Sequence, residues 1–398
     1  MPTPLDTFTA RLARAQQATR AAGLDALLIT PSPDLRYLLG LTGESHERLT
    51  CLALPAEGDP VVVVPALERP GLDGTPVTGL GLETAEWLDD DDPYDLLASL
   101  LRRSNQAPAR VAVGDAMPAA HVLRLRAAMP TCEQALASTV LRRLRMCKDS
   151  AEITALSVAG QAIDRVHARM GEWLRVGRTE AQVGADVAAA IVAEGHTSAA
   201  FVIVGSGPHA ASPHHDVSDR VVEPGDVVVV DIGGPTSEGY YSDCTRTYSL
   251  GDPADADVTA SYSVLQGAQD AAVAAVAPGM TAEQVDAAAR GPITDAGFGE
   301  QFIHRTGHGI GLEVHEQPYI VAGNDLVLEP GMAFSIEPGI YHPGRWGARI
   351  EDIVVVEEAG GRRLNHRPRE LAILPACARS FLPLRPHSAG STGHQGAG

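Results

Sequence analysis

Residues 226–248 read "DVVVVDIGGPTSEGYYSDCTRTY". Four consecutive valines make a strand buried on both faces, and Asp231 stands at its end before Gly233 and Gly234. A carboxylate in such a place is costly unless a cation meets it. Further on, "YYSDCTRTY" alternates as a strand does, so Tyr241, Asp243, Thr245 and Thr247 share one face, while Cys244 turns to the other as a packed thiol. If the two segments pair, Asp243 faces the same space as Asp231.

The pattern recurs towards the C-terminus, with Glu337 in the apolar run "MAFSIEPGIY" (332–341) and Glu351 in "ARIEDIVVV" (348–356). Both runs read as strands, and a lone carboxylate in either would be expensive. Asp352, beside Glu351, should point to the opposite face and be structural. Between the acidic pairs lies "HRTGHGIGLEVHE" (304–316), in which Gly307 and Gly309 leave room for backbone to pass close to His308. Four buried carboxylates would repel one another strongly, whereas two divalent cations balance −4 with +4. An oxygen-rich set with one imidazole suits Mn, Co, Fe or Zn, and a metal pair can activate water and polarise a carbonyl.

The rest of the chain frames these motifs. At 398 residues two domains are expected. Strands such as "PVVVVPAL" and "RVAVG" alternate with helical patterns up to residue 138, which predicts an N-terminal α/β domain. Long helical patterns begin at 139, strands return after 195, and two helical stretches occupy 254–276 and 281–296. Strands, then helices, then hairpin strands predict an α+β catalytic domain over 139–378. The apolar-poor tail, 379–398, is expected to be disordered.

Composition narrows the function. Five scattered cysteines without CxxC spacing fit reduced thiols and hence the cytoplasm. No apolar stretch is long enough to span a membrane. A net charge of −19, without a basic stripe, argues against nucleic acid as a partner.

Taken in order, Asp231, Asp243, His308, Glu337 and Glu351 closely resemble the ligand series of the pita-bread metallopeptidases, the family of prolidase, aminopeptidase P and methionine aminopeptidase. The segment before residue 139 resembles the creatinase-type N-terminal domain of the first two. The resemblance implies that Asp231 and Asp243 chelate one metal, that Asp243 and Glu351 bridge to a second, and that His308 and Glu337 complete the coordination of that second metal. It further implies a metal-bridging hydroxide as nucleophile, with Glu337 as general base. His214 and His315 match the family's substrate-facing histidines, His315 supporting the oxyanion, and His304 matches the one lining the proline-side pocket. Arg349 matches the arginine that supports the acidic cluster. His215 and His342 match no role and are read as surface or pocket-rim residues.

The expected activity is therefore a dipeptidase cleaving Xaa-Pro, a homodimer with two divalent ions per subunit, manganese foremost. Aminopeptidase P, acting on longer peptides, is the runner-up, and a non-enzymatic binding protein on the same fold is the distant alternative. One departure stands out: some microbial prolidases carry an arginine shortly after "HE", where this sequence has Tyr319. A dipeptidase needs a reader for the substrate carboxylate. Arg36, in a loop preceding Tyr37 and held by Asp34, is expected to serve, reaching into the partner subunit's cleft.

Overall fold

The computed structural model describes residues 3–102 and 107–376. The tail from 379, and Cys377, lie outside the described residues. Within them the chain opens with α1 (Leu5–Ala21), β1 (Ala26–Ile29) and α2 (Pro33–Leu39). The loop expected before Tyr37 is thus a helix. Ser32 caps it through its Oγ, 3.3 Å from the Leu35 N–H, Pro33 presets its first turn, and Gly40, at φ 68°, closes it in the left-handed region.

β2 (Cys51–Pro55), β3 (Val61–Pro65), the single turn α3 (Pro76–Gly79), β4 (Glu83–Trp87), α4 (Pro93–Leu101), β5 (Arg110–Val113), α5 (Ala119–Ala128) and β6 (Glu133–Leu136) complete a six-stranded sheet in the order β4-β3-β2-β1-β5-β6. Both its faces are covered. Val62 and Val64 join one apolar cluster with Leu12 of α1, and Val63 joins another with Leu97 of α4 and Leu125 of α5. That explains why this valine run lacks the polar alternation of a half-exposed strand.

The long helical pattern from 139 is two helices, α6 (Ser138–Met146) and α7 (Ser150–Ala168). Asp149 starts the second, accepting from Ala151 and Glu152 N–H while Glu152 reaches back to its backbone, a capping box that interrupts the periodicity. Then follow α8 (Glu180–Ala193), β7 (Phe201–Ser206), β8 (Val227–Pro235), β9 (Tyr241–Leu250), α9 (Val258–Ala275), α10 (Ala282–Asp295), β10 (Gly307–Gly309), β11 (Glu316–Ile320), β12 (Ala333–Ile336), β13 (Gly339–His342), β14 (Trp346–Arg349), β15 (Asp352–Glu357), β16 (Gly360–Arg363) and β17 (Ala372–Leu374). They form two main sheets, β17-β9-β8-β7 and β11-β10-β12-β15-β16, beside the β13-β14 hairpin.

Each sheet buries its outer face against a helix pair. Val228, Val230, Ile232 and Cys244 pack with Ile163 of α7 and Val187 of α8. Phe334, Val354 and Val356 pack with Leu265 of α9 and Val285 of α10. The inner faces carry the polar residues, and the sheets are stitched together where Glu351 N–H donates to Thr245 O at 3.2 Å and Thr247 Oγ1 donates to Arg349 O at 2.9 Å. Asp352 points away from the cavity into a buried cluster with Arg246 (2.6 Å), Arg363 (3.1 Å) and Arg369 (3.4 Å), the structural role expected of it. Removing one partner of such a buried pair costs about 3–5 kcal/mol.

Candidate metal centre

Nine of the ten sequence-selected residues line one cavity of about 870 Å³: Asp231, Asp243, His308, Glu337, Glu351, His214, His304, His315 and Arg349. The register explains the first two. Asp231 pairs with Thr245 and Gly233 with Asp243, which sets both aspartates diagonally on the inner face of the β8–β9 ladder.

His308 is brought in by the thinness of its neighbours. β10 lies between β11 and β12, and a Cβ on Gly307 would stand 1.8 Å from Ser335 O, one on Gly309 2.1 Å from Gln317 O. Only glycine permits that approach. The Gly309 carbonyl can only accept, so Nδ1–H of His308 donates to it at 3.1 Å. Nε2 is left facing Glu337 Oε1 at 3.2 Å and Asp243 Oδ2 at 3.6 Å.

Glu337 and Glu351 do not lie within strands, as the apolar runs suggest, but in breaks between them. β12 ends at Ile336 and β13 begins at Gly339; β14 ends at Arg349 and β15 begins at Asp352. Pro338 has no N–H for a continuous ladder. The Glu337 N–H goes instead to Thr306 O at 2.8 Å and that of Glu351 to Thr245 O. Both side chains are thereby released into the cavity.

The electrostatics are those of crowded anions. Donor atoms of Asp243, His308 and Glu351 lie within 4.8 Å of one another. Burial, and after it the charges of Glu351, Asp231 and Glu337, push the Asp243 carboxyl well above its ordinary range; burial, Glu337 and Asp231 do the same to Glu351. Burial also acts to raise Glu337, but the hydrogen bond and charge of His308 outweigh it and hold the group at about 2. Asp231 Oδ1 is buried with no hydrogen-bond partner. An orphaned carboxylate oxygen facing further carboxylates is a donor set that a divalent cation completes.

Arg349 braces the cluster, donating to Asp231 Oδ2 at 2.7 Å, Thr245 Oγ1 at 3.1 Å and Tyr341 Oη at 2.8 Å. Tyr341 in turn donates to His304 Nε2 at 2.9 Å, because Nδ1 of that ring is committed to Arg305 O. His315 packs its ring edge-on to His308, 4.0 Å between centroids, and burial, with the nearby His308 and Arg305, pulls its pKa down to about 4. It is neutral at physiological pH.

The tenth residue, Arg36, lies elsewhere. Its guanidinium donates to Ser237 O at 3.2 Å over Gly239, on the β8–β9 turn of its own chain, and Asp34 pairs instead with Arg145 at 2.8 Å. The expected Asp34–Arg36 pair is not formed, because Arg145 reaches Asp34 from α6 with a direct ionic contact.

Two residues escaped the sequence reading. Tyr341, at the end of an apolar run, looks like core. Glu180, the first residue of α8, looks like an ordinary helix-dipole complement. It is fully buried and accepts from Ser206 N–H (2.8 Å), Ser206 Oγ (2.7 Å), His215 Nε2 (2.8 Å) and Ser218 Oγ (2.6 Å). Burial would raise its pKa, but these donors bring it to about 2. Glu180 thus ties down the segment carrying His214, and His215, expected at the rim, is one of its anchors. His342 lies against Trp346 with the two rings tilted, away from the cavity lining.

The family model for metallopeptidase family M24 matches residues 154–358, the span holding every one of the five metal-ligand candidates. The chain belongs to this family. The M24 match is preceded by one to the creatinase/prolidase N-terminal domain over residues 11–147. Among M24 relatives, a Mycobacterium tuberculosis protein named probable dipeptidase PepE is 60% identical over 370 residues, 93% of this chain and 97% of the relative. A Lactobacillus helveticus Xaa-Pro dipeptidase is 37% identical over 368 residues, 92% of this chain and 99% of its own. The crystal structure of dipeptidase PepE from Mycobacterium ulcerans, 59% identical, superposes with a TM-score of 0.90 over 94% of this chain and 100% of that one. Thermococcus sibiricus prolidase, 37% identical, gives 0.85 over 92% and 99%. The chain is a metallopeptidase of the dipeptidase/prolidase type, and among its described residues no helix is long and apolar enough to cross a membrane.

Proposed function

We propose that this M24 enzyme hydrolyses the imide bond of Xaa-Pro dipeptides with two divalent ions, manganese foremost, held by Asp231, Asp243, His308, Glu337 and Glu351. The observation that carries the metal reading is the convergence of four carboxylates and one imidazole on a single cavity in which Asp231 Oδ1 has no partner. When bound, the ions supply Lewis-acid activation of carbonyl and water. The remaining work falls to the chain. Glu337, steadied by Ser335 Oγ at 3.1 Å, takes the proton of the attacking water and returns it to the prolyl nitrogen. Neutral His315 donates its N–H to the oxygen that gains charge. His304, fixed by Tyr341 and edged by Phe302 at 5.3 Å, forms a wall for the pyrrolidine ring, and His214 faces the scissile bond from the Glu180-anchored loop.

The proline preference draws support from the Xaa-Pro dipeptidase and prolidase relatives, and from a cavity sized for a small ligand. A length series tests it: an Xaa-Pro dipeptide, an Xaa-Pro-Yaa tripeptide and a dipeptide without proline, under defined manganese. The dipeptidase reading predicts the Xaa-Pro dipeptide as the best substrate. A tripeptide cleaved faster would make the enzyme an aminopeptidase P, and a preferred non-proline dipeptide would remove the imide specificity.

A further inference from the structure

Two arginines line the cavity, and they differ in what they touch. Arg349 is saturated by Asp231, Thr245 and Tyr341. Arg305, half-buried just before β10, has its guanidinium 4.3 Å from the centre of the Tyr319 ring, and among the described residues no carboxylate pairs with it. Tyr319 lies opposite His308 in the β10–β11 register, so its side chain stands on the His308 face of the sheet. A cation over a ring face keeps its in-plane N–H donors for other groups, and among the described residues no hydrogen-bond acceptor meets those of Arg305. A cation held this way beside a cluster of anions, in a chain of net charge −19, is placed to receive an anionic group of the ligand.

We infer that Arg305, oriented by Tyr319, binds the C-terminal carboxylate of the dipeptide and so selects dipeptides over longer peptides. The inference rests on the dipeptidase reading. In a dipeptide that carboxylate carbon is only three bonds from the scissile carbonyl carbon, about 3–3.7 Å away. A longer peptide presents a neutral amide at the same place. Arginine's planar fork matches a carboxylate in a bidentate way and gains less from an amide oxygen.

The test compares kcat/KM of the metal-loaded full-length enzyme for an Xaa-Pro dipeptide and for its C-terminal amide, in wild type, Arg305→Ala, Arg305→Lys and Tyr319→Leu. Metal content and melting temperature are measured for each. The wild type should prefer the free acid by about ten- to a hundredfold, the range of a charge-assisted hydrogen bond. In Arg305→Ala the acid-to-amide ratio should fall towards one through a raised KM for the acid. Arg305→Lys should retain part of it, and Tyr319→Leu should lower it less than the alanine variant does. A ratio unaltered in Arg305→Ala, or a wild type that cleaves acid and amide equally, overturns the inference. If the wild type cleaves only dipeptides without proline, the imide reading fails, and the acid-to-amide ratio on those substrates still decides the role of Arg305. A chain that hydrolyses no dipeptide overturns both.

Discussion

Replacing Asp243 by asparagine should stabilise the metal-free protein while removing most of the stabilisation that metal confers. Asp243 shares a 4.8 Å neighbourhood with Glu351 and feels Asp231 and Glu337 as well. At that separation two unit charges repel by about 3.5 kcal/mol at an effective dielectric constant of 20. The metal-free site relieves part of this by taking up a proton, so the net gain from a neutral, nearly isosteric amide is about 1–3 kcal/mol. At about 2–4 °C per kcal/mol, the melting temperature in chelator should rise by about 2–12 °C. With metal that advantage is offset. Wild type at a hundredfold excess over Kd gains about 2.7 kcal/mol from binding, whereas Asp243→Asn loses a ligand and most of that gain. Melting curves of both proteins, in chelator and in manganese, read all four states. A variant less stable than wild type in chelator, or one with an undiminished metal-induced shift, would refute the reasoning.

Glu337→Gln should lower kcat by about 10²–10⁴ while circular dichroism stays native, and an unchanged kcat would remove it as general base. Gly307→Ala, whose Cβ would stand 1.8 Å from Ser335 O, should destabilise by about 3 kcal/mol or more in urea, whereas Gly291→Ala, on α10 with open space around its Cβ, should stabilise slightly. His167 is buried and neutral, its Nε2–H donating to Cys244 O and its Nδ1 accepting from Tyr248; burial, then Arg246, lowers its pKa to about 3. The unfolded chain takes up that proton near pH 6.5, so stability should be full above about 6.5 and fall as pH drops towards 3. His167→Gln should flatten the fall in urea midpoint between pH 7 and 4.5; an identical slope would exclude this histidine.

The parts of the molecule legible in the sequence are those that local pattern dictates. Valine runs marked the β3 and β8 strands, and alternation put Asp243 and Thr245 on one face and Cys244 on the other, as the β8–β9 register has them. Cost arguments about buried carboxylates picked out Asp231, Glu337 and Glu351 before any contact was known. What the pattern hid depended on tertiary partners. The strand breaks at Glu337 and Glu351 arise because their N–H groups find carbonyls on other segments, which no window of hydropathy records. Spacing suggested an Asp34–Arg36 pair because the Ser237 carbonyl that Arg36 meets is 201 residues away, and Glu180 looked ornamental because the nearest of its donors, Ser206, is 26 residues on. Arg305 lay inside the quoted histidine motif, and only its stacking on Tyr319 sets it apart.

The most direct test of the central claim is a reconstitution titration, in which chelator-stripped protein receives manganese in steps while bound metal per chain and Xaa-Pro dipeptide hydrolysis are measured together. Activity should be absent without metal and reach its maximum as occupancy approaches two ions per chain. Full turnover at a small fraction of one ion per chain would mean that the acidic cavity is not a metal centre.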